Sequence, residues 1–137
     1  MTTENDVQRV VPYLGYVDAP KAIQFLCEAF GFEEKFRYPM EDGRIGHAEL
    51  TYGGSVSLML ASTYPEIGLV SPQNLEGVHA QVKCLVDDVD AHYERARDAG
   101  ATILSEPKDN YGERGYRAVD PEGHRWMFGS PTDESSA

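Results

Sequence analysis

A shift of 69 positions lays one half of this chain over the other without a gap: Gly31 falls on Gly100, Gly54 on Gly123, Leu58 on Met127 and Ser62 on Pro131. In each half an Asp opens and a Gly closes a stretch of helical spacing, Asp18 to Gly31 and Asp87 to Gly100. Asp is a favoured N-cap because its carboxylate accepts from free helix N–H groups. Gly suits the C-cap because it takes left-handed backbone angles without strain. Matched caps and matched turn glycines at one period mark two copies of one module. A copy of about 55 residues is too small to be comfortable alone, so the two halves are expected to share a core.

The elements follow from local pattern. Arg9 to Val17 reads as a strand, with Pro12 disfavouring a central position for part of it. The first helix carries Pro20 in its first turn and presents Ala22, Ile23, Leu26, Ala29 and Phe30 on one face. Phe32 to Tyr38, Ile45 to Tyr52 and Ser55 to Ala61 read as strands, punctuated by turns at Asp42-Gly43 and Gly53-Gly54. Ser62 to Gly77, with Pro65, Gly68, Pro72 and Gly77, is a connector. The pattern then restarts. Val78 to Val86 is a strand, and Asp87 or Asp88 caps a helix presenting Val89, Tyr93, Ala96 and Ala99, with His92 on its exposed side. Strands follow at Ala101 to Ser105, at Gly115 to Val119 and through Phe128, with Glu106 to Gly112 as a loop. The fold class is α+β, two tandem β-α-β-β-β modules in one domain over 7-130: module 1 about 9-62, linker 63-77, module 2 about 78-130.

Composition removes several functions. A formal charge of -11 argues against a nucleic-acid partner, which needs a basic footprint. No apolar run approaches the ~18 residues of a membrane span. Met1 to Gln8 is polar and reads as a frayed end, and Ser130 to Ala137 is a polar tail. The lack of an apolar leader at the N-terminus favours the cytoplasm. Cys27 and Cys84 form no close pair and read as small core residues, with no adjacent His to make either a nucleophile. His124, inside the Asp120–His124 turn, reads as structural, and Trp126 and Phe128 as core.

Three stretches carry a resemblance: Pro12 to Phe32, Val86 to Ala101, and Tyr111 to Phe128, the last containing Asp-Pro-Glu-Gly-His-Arg-Trp. With them the chain resembles the vicinal oxygen chelate superfamily, which includes glyoxalase I, extradiol dioxygenases, fosfomycin-resistance transferases and bleomycin-resistance proteins. It is most similar to its uncharacterised glyoxalase-like branch. The resemblance implies sheets that curve around a central cavity, a small-molecule ligand and a homodimer. It also implies where a metal would sit in metal-dependent members: on the first and last strands of each module. Carried over, those positions fall on Val11 (or Pro12), Leu58, Gln81 and Met127. Apolar side chains do not ligate, and a thioether is too soft for the hard ions concerned. No metal or other cofactor is therefore expected at the inherited site.

A rearranged site is the alternative. Counting outward from Gly53-Gly54 puts Glu49 opposite Leu58 and His47 opposite Leu60, on one sheet face, while His79 shares a face with Gln81. His47, Glu49 and His79 would then supply a 2-His-1-carboxylate set for one divalent metal ion. The same counting places Tyr13 and Tyr116 on the cavity face. Two functions follow. One is a metal-free binding protein for an apolar, aromatic or cationic small molecule, with Tyr13, His47, Glu49, Leu58, His79, Gln81, Tyr116, Arg125 and Met127 lining the site. The other is a metal-dependent lyase, isomerase or dioxygenase. Ser62 to Gly77 and Lys108 to Arg114 are the candidate lids. Which residues are catalytic, if any, is left open by the sequence.

Overall fold

The computed structural model describes residues 8–132. The predicted frayed end Met1 to Gln8 lies outside them but for Gln8, and the polar tail begins later than predicted, since Ser130 and Pro131 belong to the last strand. The element order is β1 (Tyr13–Tyr16), α1 (Ala19–Phe30), β2 (Glu33–Pro39), β3 (Ile45–Tyr52), β4 (Ser55–Ser62), then β5 (Gln81–Leu85), α2 (Val89–Asp98), β6 (Thr102–Asn110), β7 (Glu113–Val119) and β8 (Arg125–Pro131). Two four-stranded mixed sheets result, ordered β1-β4-β3-β2 and β5-β8-β7-β6. In each, the first strand pairs parallel to the last and the other pairs are antiparallel. Among the described residues no helix is long and apolar enough to cross a membrane.

The N-caps and the C-cap of α1 form as the sequence predicts; α2 is capped by Asp88, not Asp87, and its C-cap is Ala99, with Gly100 following at φ 100°. Asp18 accepts from the Lys21 N–H and Asp88 from the Ala91 N–H, both at 3.1 Å. Gly31 closes α1 at φ 86°. The predicted apolar face of α1 is buried, together with Ala19 and Phe25. The halves meet through aromatic rings: Phe30 lies 5.3 Å from Trp126 and 4.7 Å from Phe128, centroid to centroid, and Phe32 lies 5.7 Å from Trp126. Arg95 of α2 reaches the carbonyls of Cys27 and Glu28 at the end of α1. One core cluster therefore runs through both modules.

The Asp120–His124 turn is the second bond between the halves, and its two carboxylates are buried. Asp120 accepts the Tyr16 hydroxyl at 2.6 Å, the Trp126 indole at 3.1 Å, and the N–H groups of Glu122 and His124. Burial, and then the Asp120 charge, hold the Tyr16 phenol well above its ordinary pKa, so it stays a donor. Glu122 accepts the Val17 and Asp18 N–H groups, at 2.7 and 2.8 Å, and the Ser71 hydroxyl at 2.6 Å. His124 bonds the Gly15 carbonyl at 2.9 Å. Gly123, at φ 100°, packs against Pro72, so it needs both the left-handed angle and the absence of a side chain.

Several readings are corrected. Strand β1 begins at Tyr13 and β5 at Gln81, each later than the β-propensity of the flanking residues suggests. The predicted loop Glu106–Gly112 is mostly strand: β6 extends to Asn110 and turns at Tyr111 (φ 52°) and Gly112 (φ 79°) into β7. Pro107 survives there because β6 is an edge strand and the register slips between Ser105 and Lys108. This removes the Lys108–Arg114 lid. The Ser62–Gly77 connector contains two 3-10 turns and is pinned at its centre, where Ser71 is fully buried against Glu122. His92 is buried, not exposed, while Ala99 lies outside. Its Nδ1 sits 2.6 Å from the Tyr116 hydroxyl and its Nε2 2.8 Å from the Phe30 carbonyl. A carbonyl only accepts, so Nε2 carries the hydrogen and Nδ1 receives the Tyr116 O–H.

Two outcomes are expected. Glu122→Ala strands two backbone N–H groups and a buried hydroxyl, and should lower unfolding stability in urea by about 2–3 kcal/mol. Burial lowers the His92 pKa from its ordinary 6.5, so the unfolded chain takes up a proton that the folded chain resists. That contribution to stability is complete above pH 6.5 and is lost as the pH falls below it. Denaturation midpoints measured between pH 7 and pH 5 should fall less steeply in His92→Phe than in the parent.

Candidate functional site

In both sheets one face packs on the helices and the other is open. The ladders fix which residues share the open face. Tyr13 pairs with Met59, Met59 with Glu49, and Glu49 with Phe36; His47 pairs with Tyr38. In the second sheet Gln81 pairs with Arg125, Lys83 with Met127, Met127 with Arg117, and Gly115 with Lys108.

These pairs correct the internal ruler. The offset is 70 from Tyr13 to Lys83 but 68 from Met59 to Met127. The ungapped shift of 69 averages the two. The offset steps from 70 to 69 across the helices, between the N-caps Asp18 and Asp88 and the glycines Gly31 and Gly100, and from 69 to 68 at a bulge in β4: Thr51 pairs with Val56 but Leu50 with Leu58, leaving Ser57 extra. Its hydroxyl bonds the Ser55 carbonyl at 2.9 Å. Leu58 therefore turns into the core, and Met59 is the partner of Met127. Leu58 lines a separate cleft of about 250 Å³ between the modules, beside Phe32, Val82 and Trp126. Tyr116 is also displaced from the open face. Val119 pairs with Arg125 across a five-residue turn, so Arg117 faces Met127 while Tyr116 faces Phe128 and is buried on the helix side.

On the first sheet, three of the predicted residues join into a chain. The Tyr13 hydroxyl lies 2.7 Å from His47 Nδ1, and His47 Nε2 lies 2.9 Å from Glu49 Oε2. An ionised carboxylate only accepts, so Nε2 bears the hydrogen and the neutral ring receives the Tyr13 O–H at Nδ1. Burial, and then the Glu49 charge, raise the Tyr13 phenol from its ordinary value. Phe36 and Tyr38 extend this face and are exposed. His79 lies outside β5 and does not join the chain. Among the described residues no three His, Cys, Asp or Glu side chains converge as a metal site.

On the second sheet the register puts Gln81, Arg125 and Met127 on the open face. A cavity of about 330 Å³ lies over it, lined among others by Leu104, Lys108, Arg117, Arg125 and Met127. Arg117 and Lys108 were not foreseen; closing the Asp120–His124 turn with the correct count would have found Arg117. Lys83 is held by both oxygens of Glu113 at 2.7 Å. The side chains at the carried-over positions are poor donors for a hard divalent ion. The last-strand position is Met127, and its two cross-strand neighbours are the cations Lys83 and Arg117. Met59 takes the corresponding place in the first module, and neither thioether is a ligand for a hard divalent ion. Neither cysteine offers a thiolate: burial pushes Cys84 up to about 11 and raises Cys27 as well.

With this geometry the comparisons agree. The profile of the Glyoxalase/Bleomycin resistance protein/Dioxygenase superfamily matches residues 8–128, and the chain belongs to that superfamily. An uncharacterised protein of Mycobacterium tuberculosis (strain ATCC 25618 / H37Rv) is 36% identical over 127 residues, covering 90% of this chain and 74% of its own. The crystal structure of TioX from Micromonospora sp. ML1 has a TM-score of 0.70 at 34% identity, covering 91% of this chain and 97% of that one. TnmS3, an antibiotic binding protein from Streptomyces sp. CB03234, shares the fold at a TM-score of 0.68 and 22% identity, covering 92% and 98%.

The His47 tautomer is directly testable. Nitrogen-15 spectra should show His47 protonated at Nε2 with Nδ1 as acceptor. Glu49→Leu should release that preference into a mixture of tautomers.

Proposed function

We propose that this chain is a small-molecule-binding protein of the glyoxalase/bleomycin-resistance type that works without the family's metal. The observation that carries this reading is the chemistry at the inherited ligand positions. Val11, Met59, Gln81 and Met127 stand where a metal would need His or Glu, and Lys83 and Arg117 flank Met127. A divalent ion beside Arg117, unpaired among the described residues, loses electrostatic stabilisation that carboxylate or imidazole ligands would otherwise supply.

Support for ligand binding comes from the open faces. The first carries Tyr13, Phe36 and Tyr38 with the His47–Glu49 pair among them. The second holds a cavity whose volume of about 330 Å³ lies in the range of small-molecule sites. Exposed large side chains on both sheets, including Phe36, Tyr38, Leu85 and Leu104, favour a homodimer that covers these faces while leaving room for the ligand. Two free cysteines suit a reducing, cytoplasmic setting. TnmS3 is described as an antibiotic binding protein, and a planar or aromatic antibiotic-sized molecule is the natural first probe.

Thermal unfolding against a panel of aromatic antibiotics and metabolites tests the reading. A ligand at about 100 times its Kd stabilises by about 2.7 kcal/mol, a shift of several degrees. The shift should survive a chelator and weaken in Tyr13→Phe or His47→Ala. A shift that appears only with added Ni, Zn, Fe or Mn, and vanishes in Glu49→Ala, would instead support the metal-dependent enzyme.

A further inference from the structure

The second sheet carries one cation per strand on its open face: Lys83 on β5, Arg125 on β8, Arg117 on β7 and Lys108 on β6. That is four of the 12 Lys and Arg residues in a chain of formal charge -11. Lys83 is answered by Glu113. Arg117, Arg125 and Lys108 have no hydrogen-bond or ion-pair partner among the described residues. Carboxylates are plentiful in this sequence, with 23 Asp and Glu. They neutralise Arg37, Arg44, Arg97 and Arg114 elsewhere. The open face is thus locally positive on a protein that is globally negative.

We propose that this face is an oxyanion-recognition site, and that the ligand is a small molecule joining an apolar or aromatic body to a carboxylate, phosphate or sulfonate group. The inference rests on the ligand-binding reading above and specifies its chemistry. Arg117 and Arg125 lie on adjacent strands: Arg117 faces Met127, two residues along β8 from Arg125. Diagonal neighbours of this kind are about 7–8 Å apart at their backbones, within reach of two long guanidinium side chains converging on one anion. Met127 and Leu104 give the cavity an apolar floor beside those charges. Arg117, Arg125 and Lys108 can supply the electrostatic hold on an anion without a metal. Of the apolar, aromatic and cationic ligands that the sequence leaves open, this face disfavours the cationic one.

Two fluorescent dyes with one aromatic body make the test: anilinonaphthalene sulfonate, and N-phenylnaphthylamine, which lacks the sulfonate. The parent protein should bind the sulfonate at least about tenfold tighter, the scale of a charge-assisted hydrogen bond. That preference should shrink with added salt and disappear in Arg117→Gln/Arg125→Gln, with binding of the neutral dye unchanged. Circular dichroism of the double variant checks folding, and the salt series on the parent reads the same preference without any variant. Equal binding of both dyes overturns the inference and leaves the ligand-binding reading standing. Failure of both dyes to bind counts against both. A double variant that changes oligomeric state yet keeps the dye preference assigns the cations to a subunit contact and also overturns the inference.

Discussion

Two buried carboxylates in one turn hold this molecule together. Asp120 and Glu122 accept seven hydrogen bonds between them, from β1, the start of α1, the connector, the turn itself and β8. A buried carboxylate without partners is costly, so its cost forces every partner into place. Once they are seated, the first strand of module 1 lies against the last hairpin of module 2, and the connector is fixed through Ser71. The helices then close over one aromatic core, with Phe30 and Phe32 against Trp126. The turn that looks most like an active-site loop is the clamp, and His124 is part of it.

The clamp also decides where ligand chemistry is available. With the helices and the shared core on one side of the sheets, the other side of each is left open. On the first sheet that side carries aromatic rings and a Tyr13–His47–Glu49 chain; on the second it carries cations. The resemblance assigns the ligands of the superfamily's metal-dependent members to these same faces. Here the backbone positions are kept and the chemistry has changed: thioethers stand at Met59 and Met127, and basic side chains surround the latter.

Much of this was legible in the sequence, because caps, turn glycines and apolar spacing are local signals. The bounds of α1 and the whole of β3 come directly from them. What failed was counting across irregularities. Ser57 forms a bulge that no propensity announces, and it moved Leu58 off the open face and Met59 onto it. The five-residue turn did the same for Tyr116 and Arg117. His92 reads from the sequence as lying on the exposed side of α2, with solvent exposure the default. Its burial depends on Tyr116 and Phe30 arriving from two other elements, which only the fold reveals. Glu106 to Gly112 reads as a loop, yet an edge strand with a register slip runs through it to Asn110 and accommodates Pro107.

Elemental analysis of untagged protein, purified after growth with ample Mn, Fe, Ni and Zn, tests the central claim most directly. Replacement of the family's ligands by thioethers and cations predicts no metal in proportion to protein. One equivalent of a divalent metal per chain, lost in Glu49→Ala or His47→Ala, would contradict it.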